Sequence, residues 1–152
     1  MSTGTIEQTL QHIDVRKESQ IAAPIEIAWE AMLEALGPAA TMPDHKAYPL
    51  KLEAWPGGRY FRDLGNNAGH FWGHVQVIKP PTLLEIVGPM FMSYAVASHV
   101  QWRLAAEGGG STKLTLVHKA FGMLDPMHRE GVNTGWNHWV NRIREQAEKR
   151  KK

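Results

Sequence analysis

Residues 50–121 keep to a two-residue period of apolar and polar side chains with few breaks, and the chain after Asp125 keeps to a period of three and four. That change of period constrains the fold more than any motif. A period of two is a strand with one wet and one dry face; the longer period is a helix with one apolar stripe. In "PLKLEAW", Leu50, Leu52 and Ala54 alternate against Lys51, Glu53 and Trp55. Pro56, Gly57 and Gly58 turn the chain, and "RYFRDL" returns. Turn signals at "NNAG" (66–69), Pro80-Pro81, Gly88-Pro89 and Gly108 to Gly110 separate four more runs: "HFWGHVQVIK", "TLLEIVG", "YAVASHVQWRLAA" and "STKLTLVHKAF". Strands so regularly spaced, with short connections, predict an antiparallel meander.

Upstream, "IDVRKESQI" (13–21) reads as a first strand, broken by Ala22-Ala23-Pro24. Pro24 suits the first turn of a helix, where its missing N–H costs nothing. Ile25, Ala28 or Trp29, Met32 and Leu36 then recur at helical spacing until Gly37-Pro38. Residues 38–49 hold three prolines and show no period. At the far end Asp125 is a good N-cap and Pro126 a good first helical residue. Val132, Trp136, Trp139 or Val140, Ile143 and Ala147 form the apolar stripe of a long helix. The basic ending "EKRKK" suits a helix C-terminus and a solvated face better than a nucleic-acid patch. The expected fold is α+β: a curved antiparallel sheet of about seven strands around a long C-terminal helix, with short helices after the first strand. A sheet with one apolar face needs such a cover, and the gap between the two layers is a common ligand site.

The 152 residues fit one domain, with residues 1–10 and 148–152 expected to be loose. At 43% hydrophobic and 21% charged residues, with a net charge of +2, the chain reads as a globular protein without a broad basic face, so nucleic acid is not an expected partner. It has no cysteine, which excludes disulfides, thiolate metal sites and a cysteine nucleophile. No apolar run approaches a membrane span, and the N-terminus lacks a signal-peptide core, so integral membrane association is not expected and the default location is cytoplasmic.

Five stretches carry a resemblance: "IAAPIEIAWEAM" (21–32), "WPGGRYF" (55–61), "GHVQVIKPPTLLEI" (73–86), "SHVQWRLAAEGGGSTKLTLVHKAF" (98–121) and "HREGVNTGWNHWVNRI" (128–143). In this order they resemble the SRPBCC superfamily, which has the helix-grip or START-like fold. Within it they resemble bacterial proteins grouped with the activator of heat-shock-protein-90 ATPase homologues. The resemblance implies a helix-grip fold. Its members include lipid carriers, hormone and alkaloid binders, aromatic polyketide cyclases and chaperone regulators. They share no catalytic motif, so no catalytic residue is carried over.

Alternation alone selects the inward faces. In "STKLTLVHKAF" the lysines take the wet face, which turns Leu114, Leu116, His118 and Ala120 inward. In "SHVQWRL", Ser98, Val100, Trp102 and Leu104 face in; in "FWGHVQV", Phe71, Gly73, Val75 and Val77 face in and Trp72 faces out. In "RYFRDL" the more apolar set is Tyr60, Arg62 and Leu64. The expected ligand-binding residues are Tyr60, Arg62, Phe71, Val75, Trp102, Leu116, His118 and Trp136. Arg62 then needs a carboxylate, an anionic ligand or an exit at the cavity mouth. His118 is either an acid or base or a hydrogen-bonded core group. Trp102, Trp136 and Trp139 are core or the walls of a site for a flat or apolar ligand. Met42, Met90, Met92, Met123 and Met127 are candidates for an adaptable mouth.

The histidines give no metal site. His70 and His74 on one strand stand roughly 13 Å apart at ~3.3 Å per residue, and His128 and His138 are nearly three helical turns apart. No cofactor is expected. The main functional expectation is binding of a small hydrophobic molecule or lipid between sheet and helix, with homodimerisation left open. The rivals are a cyclase, dehydratase or hydrolase in the same cavity, and an interaction module using exposed Trp55, Phe61 and Trp72.

Overall fold

A computed structural model of the chain describes residues 9–150. Strand β1 (Gln11–Ile21) leads through Pro24 into helix α1 (Ile25–Leu36), as the apolar spacing predicts. Gly37 ends the helix, and its N–H donates back to the Glu34 carbonyl. Residues 37–50 form turns and an isolated bridge between Thr41 and Ala47, so one helix follows the first strand where short helices were expected. Then come β2 (Lys51–Leu52), β3 (Arg59–Gly65), β4 (Ala68–Lys79), β5 (Leu83–Gly88), β6 (Val96–Glu107), β7 (Ser111–Gly122) and helix α2 (His128–Arg150).

The seven strands pair antiparallel in the order β1-β7-β6-β5-β4-β3-β2. The meander from β2 to β7 follows chain order, and β1 closes beside β7 after the α1 excursion. Residues 148–150, expected to be loose, are the last residues of α2; residues 1–8 and 151–152 lie outside the described residues. Asp125 Oδ1 accepts the Met127 N–H at 2.9 Å in a turn that leads into α2; the helix itself begins at His128, so Pro126, expected as its first residue, lies in that turn.

Helix α2 buries Val132, Trp136, Trp139, Val140, Ile143 and Ala147, so both alternatives at positions 139 and 140 are inside. It packs along α1 and β1. Glu148 Oε2 accepts the Ala22 N–H at 2.9 Å, and the Thr112 hydroxyl donates to the Ala23 carbonyl at 2.8 Å. These bonds fix the entry of α1 against α2 and β7.

Strand β2 is shorter than its alternating pattern because Glu53 leaves the ladder. Its carboxylate accepts the Arg59 N–H at 2.8 Å and the guanidinium at 2.9 and 2.7 Å. These bonds hold the Glu53 carboxyl at about 2, well below its ordinary value. The turn tip then pairs with β4 through Gly57 N–H to the Val75 carbonyl and Val75 N–H to the Gly58 carbonyl, both 2.8 Å. A Cβ on Gly58 would stand 1.9 Å from the Glu53 carbonyl oxygen, so this close approach requires glycine.

Strand β4 departs from simple alternation twice. Tyr60 pairs Gly73 and Phe61 pairs Phe71, which leaves Trp72 as an extra residue. Val75 pairs Ile86 and Val77 pairs Glu85, which leaves Gln76 as a second. Each β-bulge shifts the pleat by one residue. Trp72 is therefore inside, 3% exposed, and Phe71 outside, 42% exposed, the reverse of the alternation reading. Past the second bulge Ile78 packs on the core, and Val77 lies opposite outward-facing Glu85.

Candidate functional site

A pocket of about 300 Å³ lies between the sheet and the N-terminal half of α2. The proline-rich loop supplies Met42, Pro43 and Tyr48; the β4 bulge supplies Trp72, and the β5–β6 connection supplies Phe91. The α2 wall is Gly131, Gly135, Trp136 and Trp139. The pocket is therefore a cup of aromatic rings against a stretch of bare helix. Trp72 and Trp139 lie near parallel with centroids 5.9 Å apart, and Trp136 meets Trp139 edge-on at 6.0 Å.

The two glycines make the space. They sit four residues apart on one face of α2. A Cβ built on either meets nothing within 4 Å. Glycine inside a helix is unfavourable by roughly 1 kcal/mol against alanine, so the helix is weakened where it borders the pocket.

The loop wall is tied to the helix. The Thr41 hydroxyl and His138 Nε2 are 2.9 Å apart, the His45 and His138 rings meet edge-on at 5.4 Å, and Arg142 donates to the Ala39 carbonyl at 3.1 Å. Met42, 39% exposed, stands at the rim, the one methionine of the five to line this pocket. Met90 and Met92 are core, and Met127 is exposed.

Of the eight residues expected from sequence, Trp136 lines the pocket directly. Trp102 packs edge-on to Trp136 at 5.7 Å. Tyr60, 1% exposed, packs edge-on to Trp72 at 5.5 Å and donates its hydroxyl to the Leu36 carbonyl at 2.6 Å. Burial raises that phenol well above its ordinary range. Val75 and Leu116 are core beneath the rings. Phe71 faces outward against His74, because of the bulge at Trp72. Among the described residues Arg62 meets no carboxylate: its guanidinium lies 4.3 Å over the Tyr48 ring and donates to the Pro49 carbonyl at 2.8 Å. It stiffens the Tyr48 wall and is itself half-buried.

His118 is completely buried, between Trp136 and Ser98. The Trp136 indole, which can only donate, gives its hydrogen to Nδ1 at 2.9 Å. Nε2 therefore carries the imidazole hydrogen and donates to the Ser98 hydroxyl oxygen at 3.0 Å. Burial pushes the imidazole down to about 4, so it is neutral at pH 7. A protonated Nε2 cannot take a hydrogen from Ser98. The pair is not a nucleophile with its base; it is a buried bridge that locks α2 to β6 and β7.

The outer face carries exposed Trp55 and Phe71, with Phe61 half-buried beneath Arg59 at 4.8 Å. Trp72, expected to join them, is in the pocket wall instead. Among the described residues no helix is long and apolar enough to cross a membrane.

Sequence reasoning missed Pro43, Tyr48, Trp72, Phe91 and the two glycines. The glycines had a signal: two of them at helical spacing beside Trp136 and Trp139, on the helix whose apolar stripe was already read from sequence.

The family model described as "Activator of Hsp90 ATPase homolog 1-like protein" matches residues 22–148. No curated protein matches the sequence. An uncharacterized protein from Rhizobium leguminosarum superposes with a TM-score of 0.70 at 17% identity, over 93% of this chain and 97% of that one. A Chromobacterium violaceum protein gives 0.67 at 19%, over 89% and 97%. The Zhui aromatase/cyclase from Streptomyces sp. R1128 gives 0.63 at 17%, over 92% and 96%. At these identities the likeness to the solved structures is one of fold.

Proposed function

The chain belongs to the family of Activator of Hsp90 ATPase homolog 1-like proteins, and on that premise we propose that it binds a small, flat, mainly apolar molecule in the cup between the sheet and α2. The observation that carries this reading is the pair of pocket-facing glycines, Gly131 and Gly135, opposite a wall of aromatic rings. A helix that served only as a lid for the core would gain from alanine at both positions. Apolar contact supplies the affinity, and the rings favour a planar ligand. The volume, about 300 Å³, is at the small end for ligand pockets.

Binding without chemistry is the better reading of this site. Catalysis needs at least two convergent polar groups, one with a tuned pKa. His118 is occupied at both nitrogens and sealed from the pocket by its partners. A native mass spectrum of the freshly purified protein tests the proposal. We expect an adduct that disappears on denaturation, and that is absent from a folded Gly135→Leu variant, whose side chain fills the cup. An adduct retained by that variant places the ligand elsewhere.

A further inference from the structure

Residues 41–47 stand off the fold as a small hairpin, and one histidine ties its tip to α2. Within the hairpin the Met42 N–H donates to the Lys46 carbonyl at 2.9 Å, the His45 N–H to the Met42 carbonyl at 2.8 Å, and Thr41 bridges Ala47. The base is anchored. The Tyr48 N–H donates to the Ala40 carbonyl at 2.8 Å, and Ala40 and Leu50 are buried. Arg142 and Arg62 hold the same base at the Ala39 and Pro49 carbonyls. The tip has no such anchor. Met42, Pro43, Asp44, His45, Lys46 and Ala47 are all exposed, so little apolar burial presses it onto the helix. Its polar contacts with α2 meet at His138, whose Nε2 is 2.9 Å from the Thr41 hydroxyl and whose ring meets His45 edge-on at 5.4 Å. His45 reaches that contact with φ at 67°, in the left-handed region that a side chain enters at a cost.

A partly buried imidazole at this joint is sensitive to charge. Glutamine would make the bond to Thr41 with no proton to gain. Protonated His138 carries its charge beside the Arg142 guanidinium, one turn along α2, and the His45 ring on the loop. Asp44, next to His45, is engaged by Lys46 at 3.8 Å, and Glu145, a carboxylate that favours the charge, is exposed on α2. Burial opposes the charge most, and His45 and Arg142 add to it. The Thr41 backbone and Glu145 offset only part, so the imidazole sits below its ordinary 6.5. A tip swung outward returns the ring to water and takes His45 away from it. The proton therefore binds the open form better: closure is complete above pH 6.5 and weakens as the pH falls.

We propose that His138 is a latch on the pocket mouth: with its imidazole neutral the 41–47 hairpin is closed against α2, and protonation releases the tip. Met42 and Pro43 ride on that tip and line the pocket, whereas Tyr48 stays with the anchored base under Arg62. Mild acid then opens the mouth from one side. The latch stands on the loop's own geometry; its use in releasing a ligand rests on the ligand-binding reading above.

Proton spectra of the unliganded chain between about pH 7.5 and about pH 5, the range in which a histidine changes charge, test the latch. Nuclear Overhauser contacts between Thr41 and the side chain at position 138 read the joint, and those between Thr41 and Ala47 read the hairpin itself. The first are expected to lose about half of their intensity or more as His138 titrates, and the second to persist. In His138→Gln the joint contacts are expected not to change with pH. Glu145→Gln removes the carboxylate that favours the charge, so the His138 titration and the loss of contact are expected to move together to lower pH. Joint contacts that persist through the titration of His138, or that are lost as readily in His138→Gln, overturn the latch. Loss that comes only with collapse of the β6 and β7 amide signals is global unfolding and overturns it too. Should His138→Gln fail to fold, Glu145→Gln decides: contact loss that does not follow the shifted titration overturns the proposal. No ligand enters this test, so its failure leaves the ligand-binding reading standing, and failure of that reading leaves the latch.

Discussion

Replacing both pocket-facing glycines of α2 with alanine separates what the helix needs from what the pocket needs. Neither new methyl group meets an atom within 4 Å, so neither brings a clash. Gly135 is well inside α2 and gains about 0.8–1 kcal/mol of helix propensity on becoming alanine; Gly131, one turn from the start, gains less. The double variant should be about 1.5 kcal/mol more stable, which raises Tm by roughly 3–6 °C for a chain of this size. Both methyls occupy space that the ligand would use, and overpacking of a fitted site costs about 1–3 kcal/mol. Affinity for a flat apolar probe such as N-phenyl-1-naphthylamine should therefore fall at least five-fold. Circular-dichroism melts and a fluorescence titration of the same samples read the two effects. The reasoning requires opposite signs. A lower Tm would mean that the space is already filled, and a higher Tm with unchanged affinity would place binding outside the cup.

Two further outcomes follow from the geometry. The folded-state pKa of His118, about 4, lies below its ordinary 6.5, so the unfolded chain binds the proton more readily. Stability from this group is complete above pH 6.5 and falls as pH drops to 4, by about 3 kcal/mol; urea denaturation across that window should show a flatter profile for His118→Gln than for wild type. Gly58→Ala drives a methyl group onto the Glu53 carbonyl, 1.9 Å away, and should lose more than about 1 kcal/mol in the same assay; an unchanged midpoint would mean that the turn does not press on Glu53.

The order of elements was legible because the two periods are physically distinct. Lysines at 113 and 119 mark the wet face of β7 unambiguously, so His118 was correctly turned inward from sequence alone. The apolar stripe of α2 was equally plain. Strand β4 was misread because parity holds only while every residue of a strand is paired, and Trp72 and Gln76 are not. Nothing in "HFWGHVQVIK" announces a bulge: both Phe71 and Trp72 are aromatic, and either could have been the inward ring. The loop wall was illegible for another reason. Tyr48, Met42 and Pro43 are placed by bonds from His138 and Arg142, about a hundred residues on, and residues 38–49 have no period to read. A site built half from a loop and half from an irregular strand escapes pattern reasoning, even where the frame that holds it does not.

The two bulges of β4 also make the strand tolerant of one kind of change. Counting inward side chains, Trp72 and Ile78 share one parity, and Gly73 and Val75 between them have the other. Each bulge sets two consecutive residues against one partner, so the extra residue is added without moving the faces on either side of it. Deletion of Trp72 would close the first bulge with Phe71 still outside and Gly73 and Val75 still inside. Deletion of Gln76 would likewise leave Val75 and Ile78 inside and Val77 outside. The inward tryptophan is therefore a separable insertion: the sheet keeps its register without it, and only the pocket loses a wall.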